Sequence, residues 1–412
     1  MNMPFADPSV ERAERPRKGR ISPLWLLALL SLSGTLGMHI FAPALRRAAS
    51  DFGVGAGVMQ LTVSLYILGL AFGQLVYGPI SDRFGRRPAL IGGLALYTLA
   101  GFVAATAASV GTLIAARLFQ ALGGCAGLAL SRAMVRDAAP APEAARRLAL
   151  LNLMVTLGPG VAPILGGAMV STTGWRSILI LLCVIGAGLL VFVWRLLPET
   201  AHSPPGAHVA ELGAHYRRLL RSPAFLGFAI GGGCATTSMY AFVAAAPFIF
   251  VDQLKRQVNE VGLSLAVLIV GVWLGNALAS RLIQRAPMHL LLIGANLASL
   301  VAALVFLAAV LVGPLNVVTV VAPLFFFTLG AGLASPMALS EAVSVNTNVI
   351  GSASGLYGFT QMAVGALCAA LAGLGSNPAL ATAVVLVSAA AVAQVSFWIA
   401  LSRRPEPAIG QA

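Results

Sequence analysis

The chain has 412 residues, of which 58% are hydrophobic and 9% charged, and its mean hydropathy is +0.90. Soluble domains are about 25% charged, so this composition excludes a soluble protein and indicates a polytopic membrane protein. The formal net charge of +13 does not indicate a nucleic-acid partner, because the basic residues separate apolar runs rather than form a continuous patch.

No motif in the sequence indicates a metal, a redox centre or a nucleotide. The four cysteines lie singly inside apolar runs, without the spacing of zinc or redox sites, and we expect small buried side chains there. Lys18 and Lys255 are the only lysines, so the chain has no Gly-x-x-x-x-Gly-Lys loop for phosphate. We therefore expect no cofactor, no bound metal and a proton gradient rather than ATP as the energy source.

The N-terminal part of the chain predicts a polar tail followed by six membrane spans. The tail covers residues 1–23 and is rich in proline and arginine. Each apolar segment after it is long enough to cross about 30 Å of hydrocarbon at about 1.5 Å per residue. The segments lie near residues 24–45, 58–79, 89–108, 112–135, 147–171 and 177–197, and together they predict an N-terminal bundle at 24–197.

A polar, proline-bearing stretch at residues 198–222 predicts a linker between two bundles. Six further spans follow near residues 223–250, 259–283, 288–310, 316–338, 349–372 and 378–402, with a short tail at 403–412. The halves 24–197 and 223–402 contain 174 and 180 residues, and this near-equality predicts two parallel six-helix pseudo-repeats. The predicted fold class is therefore an all-α integral membrane protein with twelve transmembrane helices.

The distribution of basic residues predicts the orientation of the chain. Twenty of its 26 lysines and arginines fall on the side of the two tails and the linker, and five fall on the other side. Because cytoplasmic loops carry the excess of positive charge, both termini and the linker are expected to be cytoplasmic. We expect a multi-pass protein of the cell inner membrane. The five residues on the other side include Arg46 and Arg47, which the sequence does not explain.

The stretch from Gly78 to Leu90 places an acid and three arginines between the second and third spans. We expect Gly78 and Gly85 to form a tight turn, and Pro88 to open the next helix at its first position. The spacing G-x-x-x-D-R-x-G-R-R resembles the loop signature of major facilitator transporters. Its charged members are Asp82, Arg83, Arg86 and Arg87.

Asp82 is expected to hold a conformational lock rather than to bind substrate. It would pair with Arg132 or Arg136 at the inner end of the fourth span and lie near Gly351, at the N-terminus of the eleventh helix. The resemblance also implies that this clamp steadies the outward-open state. The alternative is a solvated charge on a basic loop, worth at most about 1 kcal/mol.

Two further motifs carry the resemblance into the fourth and fifth spans. Residues 117–123 resemble the fourth-helix motif R-x-x-Q-G, with alanine in place of the glycine. The fifth-span stretch LGPGVAPILGG resembles the antiporter motif of exporters, in which small residues allow close helix packing and a proline frees a carbonyl. Together with SRAMVRD and SASGLYGFTQM, these motifs make residues 36–400 resemble the Bcr/CflA-type drug exporters. The antiporter motif matches at Gly158, Pro163, Gly166 and Gly167.

His39 and Arg117 are the candidates for proton coupling, because no acid lies deep in any predicted span. Both lie about 8–9 Å below the outer ends of their spans. An intramembrane arginine usually faces a cavity, and the resemblance implies proton or substrate coupling at Arg117. His39 is the one group of the N-terminal cavity that titrates near neutral pH, so we expect it to carry the proton. The alternative for His39 is a neutral imidazole hydrogen-bonded to a helix carbonyl.

The remaining polar and aromatic residues of the spans predict a substrate cavity, although helix packing is the alternative for each one. With Arg117 and no carboxylate, the cavity is neutral to positive, which favours neutral, zwitterionic or anionic amphiphiles. We predict a monomeric efflux antiporter that works by alternating access. Import of a metabolite and a non-transporting sensor or scaffold are the alternatives. The expected cavity residues are Gln60, Tyr66, Gln120, Asn152, Met239, Tyr240, Tyr357 and Gln361.

Overall fold

The computed structural model describes residues 23–138, 141–199, 209–345 and 350–403, and this part of the chain contains helices and no strand. Long apolar segments become helices because a helix satisfies its own backbone hydrogen bonds in lipid. The N-terminal half comprises α1 (Leu24–Phe41), a 3₁₀ turn (Ala42–Ala44), α2 (Leu45–Phe52), α3 (Ala56–Phe84), α4 (Arg86–Ala105), α5 (Val110–Ala138), α6 (Ala141–Thr172) and α7 (Trp175–Leu196).

The C-terminal half is preceded by a short helix in the linker, α8 (Val209–Leu220), that the sequence analysis does not predict. Leu219 of α8 is buried, and partial burial raises the pKa of the Tyr216 phenol. The half itself comprises α9 (Pro223–Thr237), α10 (Tyr240–Phe248), a π-helical turn (Ile249–Gln253), α11 (Val258–Leu282), α12 (Met288–Val312), α13 (Val317–Ser344), α14 (Ile350–Leu371) and α15 (Pro378–Ser402).

These helices form the twelve-span arrangement that the sequence predicts. Eleven spans in the searched part of the chain are long and apolar enough to cross a membrane, and α6, with 32 residues, supplies the fifth span. Two spans are broken. The first span bends at the 3₁₀ turn that contains Pro43, and the seventh is interrupted at Ser238 and Met239 between α9 and α10. The terminal tails at 1–22 and 404–412 and the linker residues 200–208 lie outside the described residues.

The polar stretch between the second and third spans differs from the expected loop. α3 continues to Phe84 and α4 starts at Arg86, so a single residue, Gly85, separates the two helices. Gly85 turns the chain with φ +96°, a value that favours glycine. Gly78 does not form a turn, because it lies inside α3 with open space around it. Pro88 is the third residue of α4 rather than its first.

Successive spans run in opposite directions, which gives the bundle two ends. We call the end that holds Gly85 and α8 the linker side, and the end that holds α2 and the π-helical turn the opposite side. At the opposite side, the core of the N-terminal half takes in Ala244, Phe248 and Ala366 from the other half. The first span thus packs against the seventh there, and the halves meet closely.

Two other pairs of spans join the halves. α3 meets α14, where a Cβ on Gly57 would overlap the carbonyl oxygen of Gly373 and the Gln74 amide donates to the Gly358 carbonyl at 3.3 Å. α6 meets α11, where the Ser171 hydroxyl lies 3.2 Å from Oδ1 of Asn259. These contacts lie on the opposite side and in the middle of the molecule.

Candidate functional site

Arg117 of α5 is fully buried inside the N-terminal half. Its Nη1 donates to Oε1 of Gln120 at 2.7 Å, and its Nη2 donates to the carbonyl oxygen of Gly37 at 2.7 Å. The guanidinium carbon lies 4.0 Å from the ring centroid of Tyr66 and 4.9 Å from that of Phe41. Two oxygens and two aromatic faces therefore stabilise the cation in a site with low dielectric.

Glycines of the first span create the room for this cluster. The Tyr66 hydroxyl donates to the Gly34 carbonyl at 2.8 Å, and a Cβ on Gly37 would overlap that hydroxyl. A Cβ on Gly34 would stand 2.9 Å from the carbonyl oxygen of Gly124, so the first and fourth spans touch backbone to backbone. Arg117 thus contacts Tyr66, Gln120 and the first span within the N-terminal half. The expected place of Tyr66 and Gln120 along a substrate cavity stays a prediction.

His39 faces the other half of the molecule. Its side chain is 4% exposed, and its ring centroid lies 6.2 Å from that of Tyr240 with a tilt of 58°. Tyr240 opens α10 directly after the break in the seventh span. His39 and Arg117 therefore both lie beside the part of the first span that is nearer the opposite side. They face different neighbours. His39 faces Tyr240 across the interface between the two halves, which we call the seam, and Arg117 contacts Gly37 within its own half.

The C-terminal half contributes polar groups around the same break. The Thr237 hydroxyl donates to the carbonyl oxygen of Gln361 at 2.6 Å, and the Gln361 amide donates to the Thr236 hydroxyl at 2.7 Å. Met239 is buried next to them. The two threonines were missed by the sequence analysis, because a hydroxyl inside an apolar run gives no signal until the helix break is known.

Two other expected cavity residues are buried without a hydrogen-bond partner among the described residues. Both amide atoms of Gln60 lack one, and Oε1 of Gln60 approaches Gly373 in the turn after α14. The Tyr357 hydroxyl also lacks one and lies against Gly232. Both groups lie between helices, where a polar substrate atom or water would satisfy them. The side chain of Asn152 lies outside the described residues.

The antiporter motif of the fifth span forms part of the seam between the halves. A Cβ on Gly166 would overlap the carbonyl oxygen of Ile40, and one on Gly158 would overlap Leu32 of α1. Across the seam, Gly262 of α11 lies against the Pro163 carbonyl, and Gly167 lies near Asn259. The small residues therefore allow α6 to contact both α1 and α11.

The charged residues of the signature stretch interact with one another on the linker side. Arg86 donates from Nη1 to Asp82 at 2.6 Å and from Nε to Asp137 at 3.1 Å. Asp82 thus forms an ion pair with Arg86. Its expected contact with Arg132 or Arg136 stays a prediction, and the side chain of Arg136 lies outside the described residues. Arg83 lies over the ring of Phe84 at 5.2 Å.

Glu199 joins the end of the sixth span to this cluster. Its two carboxylate oxygens accept from the backbone N–H groups of Arg86 at 2.9 Å and Arg87 at 3.1 Å. A carboxylate there satisfies unpaired donors at the start of α4 and meets the positive end of the helix dipole. Glu199 and Asp137 were not among the expected site residues, although Asp137 ends the stretch SRAMVRD and Glu199 lies in the predicted linker 198–222.

Comparisons with known proteins agree with this architecture. Residues 27–370 match the Major Facilitator Superfamily. Multidrug resistance protein D of Escherichia coli is 29% identical over 391 residues, 94% of this chain and 98% of that protein. The Bicyclomycin resistance protein homolog of Haemophilus influenzae is 27% identical over 357 residues, 84% of this chain and 87% of that protein.

A solved structure shares the fold. The bacterial homolog of the human lysosomal transporter Spinster, in an inward-facing and unoccupied conformation, superimposes with a TM-score of 0.70 at 16% identity, over 93% of this chain and 98% of that one. Since the family match covers most of the chain and the helices adopt the expected fold, the predicted resemblance is confirmed. This protein belongs to the Major Facilitator Superfamily, whose members are membrane transporters and not enzymes.

Proposed function

We propose that the protein exports small uncharged or anionic amphiphilic compounds in exchange for protons, as a monomer in the cell inner membrane, with the linker side in the cytoplasm. The names of the two relatives, multidrug and bicyclomycin resistance proteins, support drug export. The observation that carries the coupling is the position of His39, which is buried at the seam and faces Tyr240 of the other half. The surroundings of a side chain at this place change when the two halves move relative to each other, and its protonation changes with them.

We assign the structure to the state that is closed on the opposite side and, in the proposed cycle, open towards the linker side. The first and seventh, second and eleventh, and fifth and eighth spans meet on the opposite side and in the middle. Alternating access requires these contacts to open while others form on the linker side. The site around Tyr240 and Gln361 then faces the cytoplasm in this state and the outside in the alternate state.

His39 would couple the two states to the proton gradient. In the outward state its imidazole takes up a proton from outside, and in the inward state the imidazolium releases that proton to the cytoplasm before substrate binds. One proton moving inward through 100 mV releases about 2.3 kcal/mol, enough for a roughly 50-fold substrate gradient. Substrate and proton compete for the same layer, which makes the exchange obligatory.

The environment of Arg117 refines the expected substrate charge. Its guanidinium is enclosed by Gly37, Gln120 and the Tyr66 ring within the N-terminal half. The described polar groups of the other half near His39 are the Tyr240 phenol, the Gln361 amide and two threonine hydroxyls, which suit uncharged compounds with polar atoms. A lipophilic cation would meet the His39 imidazolium in a poorly screened site. Amphenicol-like molecules therefore fit better than quaternary dyes.

Uptake into everted membrane vesicles tests both parts of this proposal. We expect a pH gradient, acidic inside, to drive accumulation of chloramphenicol by the unmutated protein. His39→Ala should reduce this uptake at least tenfold and leave downhill exchange intact. His289→Ala is the matched control, since His289 lies in the first turn of α12, away from the seam, and should behave as the unmutated protein.

Three results would count against parts of the proposal. Uptake that is insensitive to the pH gradient in the unmutated protein would exclude proton-coupled export. Full pH-driven uptake by His39→Ala would leave export in place but remove His39 from the coupling. Strong resistance to ethidium in cells that express the unmutated protein would show that the inferred substrate charge is wrong.

A further inference from the structure

Arg46 and Asp252 form an ion pair that joins the two halves on the opposite side. Nε of Arg46 lies 2.6 Å from Oδ1 of Asp252, although the two residues are 206 positions apart in the chain. Arg46 belongs to α2, at the outer end of the first span, and Asp252 to the π-helical turn that ends the seventh. This contact accounts for one of the two arginines that the sequence left unexplained.

Two other basic residues of this side, Arg47 and Arg176, have partners in their own half. Arg47 pairs with Asp51, four residues away in the same helix, at 3.5 Å. Arg176 lies over the ring of its neighbour Trp175 at 4.2 Å. Arg46 and Arg47 are thus adjacent in sequence and share a helix, but Arg46 reaches across the seam and Arg47 does not.

The backbone that presents Asp252 has an unusual conformation. The N–H of Leu254 bonds to the carbonyl of Ile249 at 2.9 Å, and the N–H of Arg256 bonds to that of Phe250 at 2.8 Å. Lys255 follows with φ +55°, the one positive value among the described non-glycine residues. Such π-type turns and left-handed non-glycine residues recur at functional positions, and here they place the Asp252 carboxylate beside Arg46.

Beneath the ion pair, the two spans form an apolar seal. Ala42 of the first span is fully buried in a cluster of the other half that includes Phe242, Val243 and Ala246. The ion pair lies between this seal and solvent, with its side chains 37% and 42% exposed. A pair with that exposure is weak, so it can form and break in every transport cycle.

We propose that Arg46 and Asp252 form a latch that holds the opposite side closed in the inward-facing state and separates when the substrate leaves. The inference rests on the alternating access proposed above. It requires only that the two halves part on this side, and it is independent of the coupling ion and of the substrate. Loss of the latch shifts the resting population towards the outward-open state about fivefold, the factor that about 1 kcal/mol supplies.

The labelling rate of a cysteine at Ala42 measures this shift. Ala42 is buried between the halves, so a membrane-impermeant maleimide reaches Ala42→Cys from outside only when the opposite side opens. We expect Arg46→Gln to raise the labelling rate about fivefold, and Arg47→Gln, the matched control, to leave it unchanged. The charge exchange Arg46→Asp with Asp252→Arg should return the rate to that of the parent. Equal rates in the Arg46→Gln and Arg47→Gln proteins would overturn the latch.

Cross-linking tests whether the latch must open during transport. A short bis-methanethiosulfonate reagent should join Arg46→Cys to Asp252→Cys and stop transport, and reduction should restore it. The same reagent on Arg47→Cys with Asp51→Cys bridges one helix and should leave transport unaffected. Transport that continues with Arg46→Cys and Asp252→Cys joined would refute the latch without touching the export proposal. A failure of chloramphenicol uptake would refute export and leave the labelling result standing.

Discussion

On the linker side, Arg86 joins Asp82 to Asp137, and all three residues belong to the N-terminal half. On the opposite side, Arg46 joins Asp252 of the C-terminal half. Ion pairs inside one half move with it as a rigid body and do not change when the halves rock. An ion pair across the seam exists in one state and is absent in the other. The location of a pair relative to the seam therefore determines whether it stabilises the fold or a conformation.

Of the substitutions that we propose, we expect the largest loss of stability on the linker side, from replacing Arg86. Its side chain is 16% exposed and pairs with two carboxylates, so Arg86→Ala removes an ion-pair partner from both Asp82 and Asp137. We expect the free energy of unfolding to fall by about 2 kcal/mol, which a lower melting temperature in detergent would report. Arg83→Ala, which removes an exposed arginine over a phenylalanine ring, should change little.

The two glycines of the signature stretch give the next prediction. The sequence predicts that both form the turn, but in the structure only Gly85 does. Gly85→Ala places a side chain at φ +96°, with its Cβ 2.6 Å from Oε2 of Glu199. We expect a loss of about 1–2 kcal/mol in the free energy of unfolding. Gly78→Ala adds a methyl group to open space inside a helix and should stabilise by up to about 1 kcal/mol. Equal melting temperatures for the two variants would contradict the helix boundaries.

The overall architecture was predictable because lipid imposes a strong requirement on the sequence. Long apolar runs can only be helices, and near-equal halves indicate a repeat. The ends of the spans were harder, because α3 continues as a helix through Asp82 to Phe84, where composition no longer distinguishes helix from loop. The break at Ser238 and Met239 has no proline or charged residue to announce it.

The sequence predicts how deep the site residues lie in their spans, but not which neighbouring helix each side chain faces. Hydropathy places Arg117 well inside a span, yet the side to which it turns depends on Gly37 and Tyr66, which come from two other helices. The same limit applies to Arg46, whose partner Asp252 lies in the other half. Residues at charged helix ends are equally ambiguous, because the sequence places several arginines near Asp82 and does not show that Arg86 forms an ion pair with it.

Replacing Asp82 should have the smallest effect on stability. It also tests whether a residue that is paired within one half contacts the other half in a different state. Its side chain is 47% exposed and pairs with Arg86 one helical turn away, so Asp82→Asn should lower the free energy of unfolding by at most about 1 kcal/mol. If Asp82 also contacts the other half in the outward-open state, turnover should fall at least tenfold while substrate affinity stays close to that of the unmutated protein.

Asp137→Asn is the matched control for Asp82→Asn, because it removes the other carboxylate that Arg86 holds. Both variants weaken the cluster within the half, so any large difference between them in turnover must come from a contact outside it. Turnover can be measured as pH-driven uptake in everted vesicles and affinity as the half-saturating chloramphenicol concentration. Equal, modest losses of turnover in the two variants would mean that Asp82 stabilises only its own half and forms no ion pair across the seam during transport.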